Sequence, residues 1–471
     1  MPRFSLALCI AVAAALNANY ATAQSTMTPL ASFGVGGWLA PGTTSAFVTT
    51  GVTERGLAWN PQTGNLVLVS RAGGNNVRIL DGNTGADLGG LDVTGVTGGT
   101  YPINMAGVGD DGAIYVGNLS TSAASNFKVY KWDSEITGPF IPPTAAYDGI
   151  SGLARTGDSF AVYGGTATSA AQFAASGSSA VNNSGFTTGL LDGLNTSTPY
   201  VTIPGTTTTS NDYRLGLTFV DQSTLIGNQG ANARYTTFDA VSATVTASIP
   251  LGGAARRAMD YAVIGGTPVL AVIDSKSSIV TIFDITNPAT PTVLTSGTTT
   301  SGTLTSNPNA TGSVQWGTIS GNTATLFAMN TSQGIQAFSV FFQPPASATA
   351  FGAGCGSPAL TLSAIGAPVL PSTIQLSTDN LPATTAFGFL AFGFLAIPGG
   401  AAIPGFPGCL QHIAPLTTEV YFTLGNSSIQ MPESYPAIPA FAGISIMAQS
   451  VAVDGSSILT SNGLRLYLET F

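Results

Sequence analysis

Charged side chains are scarce in this sequence. Asp, Glu, Lys and Arg make up 7% of the 471 residues, against about a quarter in an ordinary soluble protein. Solubility therefore rests mainly on hydroxyl and amide groups. The 22 acidic residues outnumber the 13 basic ones, and the formal net charge is −9. This balance excludes nucleic acid as a partner.

Histidine and cysteine are nearly absent. The one histidine is His412, and no Gly-x-Ser-x-Gly turn accompanies it, so a Ser-His-Asp triad is not expected. Zinc and copper sites need two or more His or Cys ligands, which the chain does not supply at a workable spacing. We therefore predict no metal site and no cofactor, and the sequence assigns no catalytic residue.

Only two hydrophobic runs are long, one at the N-terminus and one from Thr384 to Phe406, and the glycines and prolines of the second argue against a membrane-spanning helix. A basic residue, Arg3, precedes the apolar run Leu6 to Leu16, and the small residues Ala21-Thr22-Ala23 follow. This layout is typical of a secretory signal peptide, predicted as residues 1–23. We expect an exported protein, extracellular or on the cell surface, with no transmembrane segment after cleavage. Once Cys9 has left with the signal peptide, the remaining pair, Cys355 and Cys409, is expected to form a disulfide.

Helix signals are also missing, and a repeat takes their place. The repeating unit is a strand, a tight turn, a second strand, a loop and a third strand, and its clearest copy runs from Arg55 to Gly85. Asn, Asp and Gly close the turns because they tolerate left-handed backbone conformations. Five further copies follow, around Met105–Trp132, Gly152–Asp158, Arg214–Thr224, Met259–Gly266 and Ser313–Asn322.

The spacing of the copies predicts a β-propeller over residues 24–343. A propeller blade takes about 40 to 50 residues, and two longer intervals, Gly164–Asn211 and Asn287–Gly312, are interpreted as loop insertions. Six blades are favoured, and seven remain the alternative. The segment Ser45–Val52 precedes the first copy and is expected to complete the last blade, which would close the ring.

The first domain also resembles a known family. The resemblance is carried by Arg55-Gly56-Leu57-Ala58-Trp59-Asn60-Pro61, by Met105-Ala106-Gly107-Val108 and by Lys128-Val129-Tyr130-Lys131-Trp132. These motifs are similar to a propeller-type domain of unknown function found in secreted bacterial proteins. The resemblance implies a fold and a location, and it implies no chemistry.

The C-terminal region has a different composition. Residues 344–350 are predicted to be a linker, and residues 351–471 a small antiparallel β-sandwich, so the whole protein is predicted to be all-β. Phe351-Gly352-Ala353-Gly354-Cys355 and Ser461-Asn462-Gly463-Leu464 resemble a C-terminal β domain that many secreted bacterial proteins share. That resemblance implies a general task such as export or surface retention.

Three arginines with acidic neighbours are the candidate ligand-binding residues. Each pair lies near the start of an inferred innermost strand, where side chains would line the mouth of a central channel: Glu54 and Arg55, Asp212 and Arg214, Arg257 and Asp260. Such groups would form an anion-binding mouth. The alternative is that they are salt bridges between blades.

These observations favour a non-enzymatic binding protein. The predicted partner is an extracellular protein or glycan held on one face of the propeller, and the sequence does not predict an oligomeric state. The alternative is an extracellular carbohydrate-active hydrolase or lyase with carboxylates at the channel mouth. Enzymatic activity is thus left open, with the non-enzymatic interpretation preferred.

Overall fold

The computed structural model describes residues 25–43, 45–166, 168–179, 182–206, 211–344 and 346–469. The predicted signal peptide, residues 1–23, lies outside the described residues. The chain divides into two compact units, of which the first is Ser25–Phe342 and the second begins at Gln343. Among the described residues the only helix is a three-residue 3₁₀ turn, Pro439–Phe441, and none is long and apolar enough to span a membrane.

The first unit consists of antiparallel sheets, which confirms the prediction of an all-β protein. Its strands in chain order are β1 (Thr26–Pro29), β2 (Trp38–Leu39), β3 (Glu54–Trp59), β4 (Leu66–Ser70), β5 (Asn76–Leu80), β6 (Asp87–Gly90), β7 (Tyr101–Val108), β8 (Ile114–Leu119), β9 (Phe127–Trp132), β10 (Thr144–Gly149), β11 (Arg155–Tyr163), β12 (Gln172–Ser178), β13 (Gly185–Leu190), β14 (Ser197–Tyr200), β15 (Gly216–Asp221), β16 (Thr224–Asn228), β17 (Asn232–Phe238), β18 (Ala243–Pro250), β19 (Arg256–Ile264), β20 (Thr267–Asp274), β21 (Val280–Asp284), β22 (Thr292–Gly297), β23 (Gly312–Ser320), β24 (Thr323–Asn330) and β25 (Gly334–Phe341).

These strands form six sheets within the described residues. Five of them are simple meanders of four consecutive strands, starting at β3, β7, β11, β15 and β19. The sixth joins β23, β24 and β25 to the N-terminal strands β1 and β2, both of which pair with β25. The N-terminus thus completes the last sheet, but the segment that does so is Thr26–Pro29 and not the predicted Ser45–Val52, which contains no regular strand.

The first strands of the six sheets pack side by side in cyclic order. β3 contacts β7, β7 contacts β11, and the series continues through β15, β19 and β23 back to β3. Each of these inner strands is an edge strand, so side chains of the neighbouring sheet satisfy backbone amides that lack a strand partner. The Leu57 N–H donates to Ser313 Oγ at 3.0 Å, and the Trp316 N–H donates to Asp260 Oδ2 at 2.9 Å.

Glycines allow the inner strands to approach each other closely. A Cβ on Gly56 would lie 2.4 Å from the amide nitrogen of Ala106 on the next inner strand, and one on Gly216 would lie 2.3 Å from the carbonyl oxygen of Arg257. No side chain fits at such distances, so these two positions require glycine. The repeat motif Arg55-Gly56 therefore reflects packing at the centre of the ring.

Two details of the predicted repeat are wrong. The third copy, around Gly152–Asp158, was expected to turn at Thr156-Gly157-Asp158. These residues instead lie inside β11, where the pairing with β12 is irregular between Thr156 and Phe160. The interval Gly164–Asn211 was interpreted as a loop, but it contains β12, β13 and β14. Its Ser- and Thr-rich composition concealed these strands, although each of them buries one aromatic side chain: Phe173, Phe186 and Tyr200.

The second unit packs two sheets against each other around a buried apolar cluster. Its strands in chain order are β26 (Ser347–Phe351), β27 (Thr361–Ile365), β28 (Ser372–Asp379), β29 (Phe387–Gly393), β30 (Leu395–Ala402), β31 (Leu410–Ala414), β32 (Thr417–Phe422), β33 (Ser428–Tyr435), β34 (Ser445–Asp454) and β35 (Ser457–Tyr467). One sheet has the order β26-β35-β34-β29-β32, the other has the order β27-β28-β33, and β30 and β31 form a separate hairpin. The cluster includes Leu376, Leu390, Phe392, Tyr435 and Leu466.

A disulfide connects Cys355 to Cys409 in this unit. The loop between the two cysteines is long, so the bond removes on the order of 4 kcal/mol of chain entropy from the unfolded state in the loop-closure model. His412 lies three residues beyond Cys409 and is buried, with its Nε2 hydrogen-bonded to the Ala353 carbonyl at 2.8 Å. That contact gives the histidine a structural role.

Two glutamates meet at the edge of the second unit. Glu419 lies on β32 of one sheet and Glu433 on β33 of the other, and their carboxyl groups are hydrogen-bonded to each other. Burial raises the pKa of Glu433 to about 8, and the neighbouring Glu419 carboxyl adds to the increase. The two carboxyl groups therefore hold a shared proton near neutral pH.

This pair predicts a pH-dependent loosening of the second unit. Because the pKa of Glu433 is higher in the folded than in the unfolded chain, folding is favoured while the group is protonated, and that advantage is lost as pH rises from about 4.5 towards 8. In the full chain, hydrogen–deuterium exchange of Ser428–Tyr435, corrected for intrinsic rates, is expected to be faster at pH 8.5 than at pH 6. Glu433→Gln should remove the difference, whereas Asp454→Asn should keep it. Equal protection of the unmodified protein at both pH values would contradict the shared proton.

Candidate functional site

A charged cavity lies where the inner strands begin, and we call it the arginine mouth. Its volume is about 450 Å³. The polar and charged side chains that line it are Arg55, Arg71, Tyr101, Asn104, Arg155, Asp158, Arg214, Gln229, Arg257, Asn309 and Thr311. The five arginines come from four different sheets, so the cavity is a property of the ring rather than of any one repeat.

Equivalent positions in the repeat explain why the arginines converge. Arg55 is the second residue of β3, Arg155 the first of β11 and Arg257 the second of β19, while Arg214 lies two residues before the start of β15. The inner strands run in the same direction, so residues at their starts meet at one end of the ring. Arg71 reaches the same end because it follows β4, which is antiparallel to β3.

Asp158 is the one carboxylate among the described residues that line the mouth. It accepts hydrogen bonds from Arg155, including one from Nη2 at 2.6 Å, and from Arg214 Nε at 3.1 Å. Its side chain is 9% exposed. The bond to Asp158 raises the pKa of Arg155. Asp158 thereby holds two of the five guanidinium groups and leaves three without an acidic partner.

The other three guanidinium groups are crowded and incompletely hydrogen-bonded. Arg55 donates to Thr311 Oγ1 at 3.0 Å and to the Val52 carbonyl at 3.1 Å, yet Arg55 Nε, Arg71 Nη1 and Arg257 Nε are buried without a partner among the described residues. Burial lowers the pKa of all three arginines, and repulsion from Arg55 helps to bring that of Arg71 to about 10. Burying positive charge without compensation is unfavourable, so the mouth is built to accept an anion.

Tyr101 stands beside these cations. The Arg71 guanidinium lies over its ring, 3.8 Å from the centroid, and Arg71 Nη2 donates to Asn104 Oδ1 at 3.3 Å. Tyr101 is 44% exposed and lines the cavity. It adds to the mouth a phenol hydroxyl group, which can donate and accept hydrogen bonds.

The three predicted arginines meet at the mouth, but their predicted acidic neighbours do not line it. Glu54 is buried and accepts hydrogen bonds from the backbone amides of Thr49 and Ser332. Asp212 pairs with Arg234 at 3.4 Å instead of with Arg214. Adjacent residues of a strand point to opposite faces, which is why Glu54 turns away from Arg55 on β3.

Asp260 lies still farther along its strand. It is three residues beyond Arg257 on β19 and lines a second cavity at the other end of the inner strands. Ligand binding by the six predicted residues, Glu54, Arg55, Asp212, Arg214, Arg257 and Asp260, stays a prediction.

Sequence reasoning missed Arg71, Tyr101, Arg155 and Asp158. Arg155 was hidden because Thr156-Gly157-Asp158 was interpreted as a turn, although its place before an inner strand matches that of Arg55. Among the described residues, no three His, Cys, Asp or Glu side chains come together in a way that could hold a metal ion.

Comparisons with known proteins identify a family. The model of a family described as a domain of unknown function, DUF4623, matches residues 41–291, more than half of the chain. The crystal structure of a DUF4623 family protein from Bacteroides eggerthii DSM 20697 is similar with a TM-score of 0.46 and 17% identity, over 63% of this chain and 71% of that one. No curated protein matches the sequence.

A second similar structure is that of a gluconolactonase from Xanthomonas campestris. It has a TM-score of 0.38 and 13% identity, and the match covers 68% of this chain and 95% of that one. The preferred prediction of a non-enzymatic binding protein is wrong in the light of this comparison, because the similar protein is an enzyme.

The arginine mouth predicts stabilisation by multivalent anions. Sulfate is expected to raise the melting temperature above that measured in chloride at equal ionic strength, because it compensates the crowded guanidinium groups. Arg257→Gln should lose most of this sulfate effect. Without sulfate the variant should be at least as stable as the unmodified protein, since the pKa of Arg257 is lowered by folding.

Lys276→Gln provides the control, because Lys276 is exposed and does not line the mouth. This variant should keep the full sulfate effect. A sulfate effect that survives in Arg257→Gln would show that the anion acts elsewhere.

Proposed function

The chain belongs to the DUF4623 family, and from the groups at the arginine mouth we propose that it is an extracellular carbohydrate-active enzyme, a lyase that cleaves an anionic glycan. The observation that carries this proposal is Tyr101, an accessible phenol stacked on Arg71 in a cavity with five guanidinium groups. A polysaccharide of uronic acids fits this arrangement, because each sugar presents one carboxylate.

The charge of the mouth supports an anionic substrate. Five guanidinium groups face one carboxylate, Asp158, and three of the arginines have buried nitrogen atoms without a partner among the described residues. A carboxylate binds a guanidinium group through two parallel hydrogen bonds. The carboxylate of a uronic acid would satisfy those nitrogens and relieve the repulsion between Arg55 and Arg71.

Elimination suits the mouth better than hydrolysis. A hydrolytic glycosidase needs two carboxyl groups on either side of the bond that breaks. Among the described residues the mouth offers only Asp158, and its two oxygens are already bound by Arg155 and Arg214. The carboxylates predicted for this role, Glu54 and Asp212, are buried in other contacts, and Asp260 lies at the opposite end.

The arginine mouth contains the kinds of side chain that β-elimination requires. Arg55 and Arg71 would bind the carboxylate at C5 of the sugar and withdraw electron density, which acidifies the proton on C5. Tyr101, as its phenolate, would take the proton from C5. The electron pair of the C5–H bond would form a C4–C5 double bond, the bond from C4 to the glycosidic oxygen would break, and that oxygen would receive the proton from the Tyr101 hydroxyl group. No water is consumed, and each cleavage leaves one unsaturated sugar. Asp158 is a positioning residue that fixes Arg155 and Arg214.

The remaining architecture fits an exported enzyme. We propose that the six sheets are the blades of a six-bladed β-propeller, since their inner strands follow each other in a closed cycle, and that the second unit is the predicted β-sandwich. The proposed boundaries are those predicted: a signal peptide at 1–23, the propeller at 24–343, a linker at 344–350 and the sandwich at 351–471. The disulfide supports an oxidising, extracellular location.

Cleavage of polyuronates tests the proposed reaction. Polygalacturonate or alginate is incubated with the purified full chain, and the ultraviolet absorbance of the unsaturated product is followed together with new reducing ends. Both signals should rise in parallel. The fully methyl-esterified polymer and a neutral glucan should give neither, because they offer no carboxylate to the arginines.

Two variants separate binding from chemistry. Tyr101→Phe keeps the ring that stacks on Arg71 and removes the hydroxyl group, so it should abolish turnover while preserving sulfate-dependent stabilisation. Lys276→Gln should retain full activity. New reducing ends without new absorbance would show that the reaction is hydrolysis and not elimination. If no polyuronate tested were cleaved, the proposed enzymatic activity would be refuted.

A further inference from the structure

A second cavity lies where the inner strands end, and we call it the aromatic mouth. Its volume is about 470 Å³, and its lining includes Trp59, Tyr163, Thr218, Asp260, Tyr261 and Trp316. A much smaller cavity of about 30 Å³ lies between this cavity and the arginine mouth, and residues of the six inner strands such as Leu57, Phe160 and Met259 line it. The two mouths share no lining residue, so the aromatic mouth is independent of the proposed function.

One carboxylate is fixed in this aromatic setting. Asp260 accepts hydrogen bonds from Thr218 Oγ1 at 2.8 Å, from the Trp316 amide at 2.9 Å and from the Tyr261 amide at 3.0 Å. These donors come from β15, β23 and β19, so the carboxylate is held rigidly between three inner strands. All three donors are neutral, and no Lys or Arg is among the described residues that line the cavity.

The negative charge of Asp260 is therefore not compensated by a cation. Burial raises the pKa of Asp260 to about 6, against the effect of its three hydrogen bonds. At neutral pH the carboxylate is mostly ionised, and it remains partly accessible from the cavity. A positively charged ligand would supply the counter-charge that Asp260 lacks in the protein.

The aromatic side chains around Asp260 favour the same kind of ligand. Tyr163 is 39% exposed and packs against Phe219 with the two rings tilted by 43° and their centroids 5.5 Å apart, and Trp59 stacks on Phe327 at 5.4 Å. These contacts fix the orientation of both rings, and each ring keeps some surface towards solvent. Faces of Trp and Tyr attract cations, most strongly where a cation loses water on binding.

We propose that the aromatic mouth binds an organic ammonium ion, with Asp260 as the counter-charge and Trp59, Tyr163 and Tyr261 as aromatic walls. A methylated ammonium group matches the cavity because it carries charge on a large apolar surface and needs no hydrogen-bond acceptor. A bare metal ion would find only one carboxylate, fewer ligands than calcium takes. A neutral sugar would find few free donors, since Thr218 and Gln315 already bond within the protein.

Choline and its uncharged analogue 3,3-dimethyl-1-butanol test the proposal. The two molecules have nearly the same shape and differ in the charge of the central atom. Calorimetric titration of the full chain should show saturable binding of choline at pH 7.5 and none of the alcohol at the same concentrations. Because Asp260 must be ionised, affinity should fall about tenfold at pH 5. The other titratable side chains that line the cavity, Tyr163 and Tyr261, are phenols and stay neutral over this range.

Matched variants locate the site. Tyr163→Ala should lose most of the affinity, whereas Tyr163→Phe, which keeps the aromatic face, should retain it. Asp260→Asn should abolish binding. If this change prevents folding, the two Tyr163 variants still test the proposal. Equal binding of choline and the alcohol, or full affinity in Tyr163→Ala, would overturn the proposal, as would the absence of choline binding at pH 7.5. Loss of polyuronate cleavage has no bearing on these outcomes.

Discussion

The first unit depends on how six edge strands are shielded at its centre. Each inner strand has hydrogen-bonding groups on one edge that no strand partner meets, and exposed edges of this kind are a liability. Here the neighbouring inner strand covers them, with side chains such as Ser313 and Asp260 reaching across to backbone amides. Gly56 and Gly216 make the close approach possible. The direction of the strands, and with it the placement of both mouths, follows from this arrangement.

The repeats were readable from the sequence because turns carry local signals. The residue types of Asn60 to Asn65 and Asp81 to Gly85 predict hairpins by themselves. Five of the six inner strands fall where copies of the repeat predict them, whereas β11 lies where the third copy predicts a turn. The pairing of Thr26–Pro29 with β25 was not readable, since it joins residues more than 300 positions apart and the segment has no strong strand pattern. Likewise, Gly164–Asn211 was interpreted as a loop because its strands carry only isolated large side chains, Phe173, Phe186 and Tyr200, among many Ser, Thr, Ala and Gly residues.

The site was predictable in part for the same reason. Arg55, Arg214 and Arg257 could be placed at one end because their positions relative to the repeat are similar, but the ion pairs between sheets could not. Glu54 and Arg55 are adjacent in sequence and point to opposite faces of β3, whereas Asp158 and Arg214 are far apart in sequence and meet at 3.1 Å. Charge pairing across a ring is decided by which sheets are neighbours, and that information is absent from any single repeat.

The N-terminal strand β1 gives the ring a late closing step. Its partner β25 is synthesised after the other five sheets of the first unit, so the sixth sheet cannot be completed before Phe341 has been translated. Contacts this distant in sequence slow folding, because the entropy of closing a long loop must be overcome before they form. During synthesis the ring therefore stays open until nearly all of the first unit has left the ribosome.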